Sequence, residues 1–196
     1  MIGPHDLLSL ARPVLGILLY LRLDPTVGAW WPLGAVALAA ATDYLDGPVA
    51  RASGAESPRG RFLDNICDAV FLAFAFAAFA EASLWSHPIG GSAVSYWEHA
   101  NWLPLLALLL SFGSYLLRGL VADDTAAPLR RSPRGHAAGV ANYLLVLLGA
   151  IELTPLPSLG PWVLEPSFVT VALLNFTAFN ENALLLASSR LRGRDG

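Results

Sequence analysis

The sequence predicts an all-α integral membrane protein of about six transmembrane helices with both termini cytoplasmic. Three observations carry that expectation. Of the 196 residues, 55% are hydrophobic and only 14% charged, and the mean hydropathy is positive, unlike that of an ordinary soluble domain. The apolar residues gather into about six stretches, each near the roughly 20 residues that cross a hydrocarbon layer of about 30 Å. Arginine and tryptophan collect at opposite ends of those stretches.

The first stretch, near residues 7 to 23, lies in "MIGPHDLLSLARPVLG", which has no basic leader and no clean small-residue cleavage site, so it is expected to stay in the mature chain. Arg12 sits inside it. The turn "DPTVG" leads to a second stretch, near 30 to 47, which ends on Asp43 and Asp46. "GPVARASGAESPRG" holds enough Gly and Pro to turn the chain back into a third, near 61 to 83, which starts with Asp64 and Asp68. Its continuation "AVFLAFAFAAFAEA" alternates Phe with Ala and offers small-residue surfaces for close helix approach, within the chain or between two copies. "SHPIGGS" precedes the fourth stretch, 102 to 121, near whose end Arg118 stands. "DDTAAPLRRSPRG" precedes the fifth, 137 to 154, and "TPLPSLGPW" the sixth, 167 to 188. No repeat, low-complexity tail or linker interrupts the chain, so residues 1–196 read as a single domain.

Charge placement orients this layout. Arg51, Arg59, Arg61, Arg118, Arg130, Arg131, Arg134, Arg190, Arg192 and Arg194 fall on one side, and of the rest only Arg22 falls clearly on the other. All six Trp lie at the opposite ends, where amphipathic rings settle among headgroups. The aspartate-rich loop is then cytoplasmic, at the inner membrane. None of the 12 basic residues is Lys, and guanidinium groups suit phosphate and carboxylate. A net charge of -3 argues against nucleic-acid binding. The one cysteine, Cys67, excludes an intrachain disulfide and a multi-cysteine metal site.

The four aspartates need a physical reason. On helices, Asp43, Asp46 and Ala50 share a face, as do Gly60, Asp64 and Asp68. Two such faces converge at the cytoplasmic membrane edge, where unpaired carboxylates cost several kcal/mol and repel one another. Helix capping or pairing with Arg51, Arg59 and Arg61 would account for one or two of them, but hardly for Asp64 and Asp68 inside an apolar segment. A divalent cation is the natural remedy. Oxygen-only ligation favours Mg²⁺ or Mn²⁺ over Zn²⁺, and the number of carboxylates suits two ions roughly 3.5 to 4 Å apart, as in displacements at phosphorus.

The run from Asp43 to Arg51, "DYLDGPVAR", followed by eight residues, Gly60, three residues, Asp64, three residues and Asp68, resembles the motif of the CDP-alcohol phosphotransferase superfamily. Every fixed position of that pattern is matched, and the six-segment layout and the start "LLSLARPVLG" resemble the family over most of the chain. The resemblance implies metal ligation by Asp43, Asp46 and Asp64 with help from Asp68. It implies a CDP-binding surface of Asp43, Gly47, Ala50, Arg51, Gly60 and Asp64, where small residues admit the nucleotide and Arg51 pairs with the diphosphate. Asp68 would be the general base that takes the acceptor hydroxyl's proton as CMP leaves. A homodimer is also implied.

The segment "DNICDA" matches neither the D-P-x-A-D-K of many phosphatidylglycerophosphate synthases nor the D-S-x-A-D of many phosphatidylserine synthases. The eukaryotic choline and ethanolamine phosphotransferases look longer than this chain, and a phosphotransferase of that type, acting on a lipid acceptor, is the alternative within the superfamily. The expected reaction is therefore transfer of a phosphatidyl group from a CDP-linked lipid to a polar acceptor. Arg118 and Arg134 flank apolar segments on the aspartate side and are candidates to bind a phosphorylated polyol, such as inositol phosphate or glycerol phosphate. Arg130 and Arg131 fit general positive-inside charge. A cation transporter is the rival from another class. It explains acids in helices, but neither the Gly and Ala spacing nor acids at one membrane edge rather than near its midplane.

Overall fold

The computed structural model describes residues 4–52, 58–82, 84, 101–121 and 132–192, which form six α-helices. In chain order they are α1 (Pro4–Arg22), α2 (Trp31–Ala52), α3 (Pro58–Glu81), α4 (Leu103–Val121), α5 (Pro133–Glu152) and α6 (Pro161–Arg192). Three described segments are long and apolar enough to cross a membrane: Phe62–Glu81, Pro133–Glu152 and Trp162–Ala187. Leu103–Arg118 is apolar but shorter.

Beside an apolar core, the helices also bury polar groups and expose leucines. On α4, Leu106, Leu109, Leu110 and Leu117 are exposed, while Ser111, Ser114 and Arg118 are buried. Apolar groups outward and polar groups inward is the arrangement that a hydrocarbon solvent selects. The same holds between α5 and α6, where Asn142 and Asn175 are buried and exchange side-chain hydrogen bonds.

Helix α3 is the axis of the bundle. It packs along α1 and also touches α4 and α5, while α1 rests on α2, α2 on α5, and α4 and α5 on α6. Its Phe71, Ala75, Phe76, Ala78 and Phe79 are buried within this one chain. These residues of the Phe/Ala segment are therefore used for intrachain packing. Gly16 of α1 explains how closely α1 approaches, because a Cβ there would lie 2.9 Å from Phe71 Cα and 3.0 Å from its carbonyl oxygen. At the far end of the same pair, Tyr20 donates to Glu81 at 2.7 Å.

The largest boundary differences from the sequence expectation are at α2 and α6. Helix α2 runs through Gly47 and Pro48 to Ala52, carrying the Gly47–Arg51 part of the motif on the helix rather than in a turn. Helix breakers lose force where neighbouring helices satisfy the freed backbone groups. Helix α6 spans 32 residues and starts at Pro161, directly after Gly160 at φ 74°, a left-handed conformation that favours glycine. Helix α5 starts on Ser132, whose hydroxyl oxygen accepts from Gly135 N–H at 3.0 Å and whose O–H donates to Glu181 of α6.

Candidate active site

Each helix brings polar groups to the site on the face it otherwise buries. On α3, Asp64 and Asp68 are one turn apart, and the same face continues as Phe71, Leu72 and Ala75 into the core. On α1, Ser9, Arg12 and Leu19 are buried and Gly16 lies against Phe71, so the spacing of three and four keeps this row against α3. Asp43 comes from α2, just after the buried Val36, Ala39 and Thr42.

Arg12 is the centre of the cluster. It is fully buried, and its Nη1 donates to Asp43 Oδ1 at 3.2 Å and also to Asp68 Oδ1, while Nη2 donates to Asp64 Oδ1. Ser9, one turn earlier, donates to Asp64 Oδ1 at 3.3 Å. From α5, the Tyr143 hydroxyl donates to Asp68 Oδ1 at 2.6 Å, and its ring stacks on Phe71 with centroids 5.8 Å apart. Side-chain exposure falls from 45% at Asp43 through 32% at Asp64 to 23% at Asp68, so Asp43 lies nearest the mouth and Asp68 deepest.

Asp43, Asp64 and Asp68 each offer a carboxylate oxygen, and these oxygens all lie within 4.8 Å of one another. Among the described residues, three carboxylates face one guanidinium, so that negative charge is in excess. An all-oxygen donor set with that excess fits a hard divalent cation. The expectation that the two motif halves converge is met for these three residues.

The remaining motif positions are less fully defined. Asp46, Gly47, Ala50 and Arg51 lie on the last turns of α2, and Gly60 on the first turn of α3, all outside the residues whose side chains are described. Arg130 and Arg131 lie outside the described residues altogether. Arg118 is buried on the last turn of α4, with its guanidinium carbon 5.8 Å from the Tyr115 ring centroid. The Tyr115 hydroxyl in turn accepts from Asn65 Nδ2 at 3.1 Å, next to Asp64. Arg134 is exposed on the first turn of α5.

A family model described as CDP-alcohol phosphatidyltransferase matches residues 5–179, a span that includes Ser9, Arg12, the three aspartates and Tyr143. The chain belongs to this family. It is a phosphotransferase enzyme of phospholipid biosynthesis that acts on a CDP-alcohol and an alcohol acceptor. Members of the family typically depend on a divalent metal, and the acidic triad supplies ligands of the right type. No curated protein and no solved structure matches the chain.

Sequence reasoning assigned no role to Ser9, Arg12 or Tyr143. Arg12 had a usable signal, since an ionisable side chain inside an apolar segment is costly enough to imply a buried partner. Tyr143 had none, being one aromatic residue in an apolar run.

Proposed function

We propose that the protein transfers a phosphatidyl group from a CDP-diacylglycerol-like lipid to a hydroxyl of a polar acceptor at the cytoplasmic face of the inner membrane, releasing CMP. The observation that supports this most is the convergence of Asp43, Asp64 and Asp68, three motif aspartates from two helices, within 4.8 Å. Asp43, Asp46 and Asp64, assisted by Asp68, would hold Mg²⁺ or Mn²⁺, two ions in all. When bound there, the metal would supply charge neutralisation for the diphosphate and for the phosphorus from which CMP is displaced.

The chain's own residues do the rest. Gly47, Ala50 and Gly60 let the cytidine diphosphate lie close to α2 and α3, and Arg51 binds its oxygens. Asp68, the deepest carboxylate, takes the proton of the acceptor hydroxyl. The acceptor oxygen forms the new bond to the phosphorus that carries diacylglycerol, and the diphosphate bridge breaks with its electron pair leaving on CMP. Arg118, with Arg134 toward solvent, favours a phosphorylated polyol as the acceptor. Residues 1–196 act as one domain, and the enzyme works as a homodimer in the bilayer.

The test is CMP release from CDP-diacylglycerol by purified protein, with Mg²⁺ or Mn²⁺ and with EDTA, against inositol phosphate, glycerol phosphate, inositol, glycerol and serine. Metal-dependent release with one acceptor is expected. Release that survives EDTA would overturn the metal role, and no release with any acceptor would overturn the lipid donor.

A further inference from the structure

The contacts of Asp68 are lopsided. Arg12 Nη1 and the Tyr143 hydroxyl both donate to Oδ1, so among the described residues Oδ2 is the oxygen with no hydrogen-bond donor. The two donors come from different helices, α1 and α5. They also differ in kind. Arg12 is shared among three carboxylates, whereas Tyr143 donates to Asp68 alone.

A carboxylate turns readily about its last torsion, whose preference is broad and roughly two-fold. Left free, Asp68 would present either oxygen, or an edge, to an incoming hydroxyl. Arg12 and Tyr143 together remove that freedom, and Tyr143, the donor not shared with other carboxylates, is itself held by its stack on Phe71, which lies three residues beyond Asp68 on the same face of α3. The carboxylate and the ring that steadies its donor thus ride on one helix. Burial strengthens the effect, because Asp68 is the least exposed of the three carboxylates and water competes least for its lone pairs.

We propose that Tyr143 is a positioning residue that holds Asp68 Oδ1, so that Oδ2 faces the acceptor hydroxyl and receives its proton as the oxygen bonds to phosphorus and CMP departs. The inference rests on Asp68 being the general base. It adds a member from α5 to a site whose motif residues come from α2 and α3.

The experiment compares Tyr143→Phe, Asp68→Asn and the double variant in CMP release from CDP-diacylglycerol, with the acceptor that supports turnover. Tyr143→Phe keeps the ring on Phe71 and removes only the hydroxyl. It should lower kcat about 10- to 100-fold, the usual loss when the partner of a functional group is removed, with the KM of both substrates unchanged. In the Asp68→Asn background the same change should cost nothing further, since its effect runs through the carboxylate. Tyr143→His, which keeps a ring donor, should recover part of the rate, and serves as the probe if Tyr143→Phe does not fold. The inference is overturned if Tyr143→Phe keeps kcat within twofold, if its loss multiplies that of Asp68→Asn, or if a folded Tyr143→His is as slow as Asp68→Asn. Near-normal turnover by Asp68→Asn would instead overturn the base assignment itself.

Discussion

Arg12 holds together three carboxylates that would otherwise repel, and does so fully buried. Removing one member of a buried ionic group strands the others, at a cost of about 3–5 kcal/mol. Arg12→Met should therefore lower the thermal midpoint in EDTA, and Mn²⁺ should raise the variant's midpoint by more than it raises the wild type's, because the stranded carboxylates gain most from a cation. Equal metal-induced shifts would separate Arg12 from the metal site. The carboxylates themselves are expected to be individually essential. Asp43→Asn, Asp46→Asn or Asp64→Asn should abolish turnover while the protein still inserts and folds, and near-normal activity in a folded variant would remove that residue from the ligand set. At this scale the motif aspartates were legible because their spacing is regular along helices. Tyr143 was not, and of Arg12 only the need for a buried partner was, because their contacts come from α1 and α5 lying against α3, which no local spacing encodes.

Helices were legible as apolar runs, but their ends and their neighbours were not. The Gly47-Pro48 pair reads as a turn, yet α2 continues to Ala52, and "FLAFAFAAF" reads equally as an inner or an outer face until its partners are known. What decides the latter is the close approach of α1 at Gly16. A methyl group there would meet backbone atoms of Phe71 at 2.9 and 3.0 Å, and backbone cannot swing aside as a flexible side chain can. Gly16→Ala should then push α1 off α3 and, one and two turns away, draw Arg12 and Ser9 from the aspartates. The expected result is a destabilisation of about 1–3 kcal/mol, the usual cost of overpacking, with a loss of turnover beyond what the stability change explains. Gly34→Ala on α2 is the control, since nothing lies within 4 Å of its added methyl. Thermal midpoints and CMP release of the two variants check this, and indistinguishable behaviour would mean that the α1–α3 spacing is not under tension.

At the scale of the whole molecule, an apolar core coexists with buried polar side chains and exposed leucines, and the buried Arg118 is the feature of this pattern most open to test. Sequence placed Arg118 and Arg134 together as candidates for an acceptor phosphate, because both flank apolar segments on one side. The structure separates them: Arg118 is buried beside Tyr115, whose hydroxyl ties α4 to Asn65 of the aspartate helix, whereas Arg134 is exposed. A buried guanidinium is costly and is retained where it binds something, while an exposed one adds mainly to screened, long-range attraction. Arg118→Ala should thus raise the acceptor KM at least about 10-fold and leave the CDP-lipid KM near normal, with Arg134→Ala producing a smaller change in the same direction. Tyr115→Phe keeps the ring beneath Arg118 and removes the hydroxyl that Asn65 contacts. If it reproduces Arg118→Ala, then Arg118 serves to dock α4 on α3 rather than to bind the acceptor. Equal turnover with inositol, serine or glycerol and with their phosphorylated counterparts, together with insensitivity to both arginine substitutions, would exclude a phosphorylated acceptor.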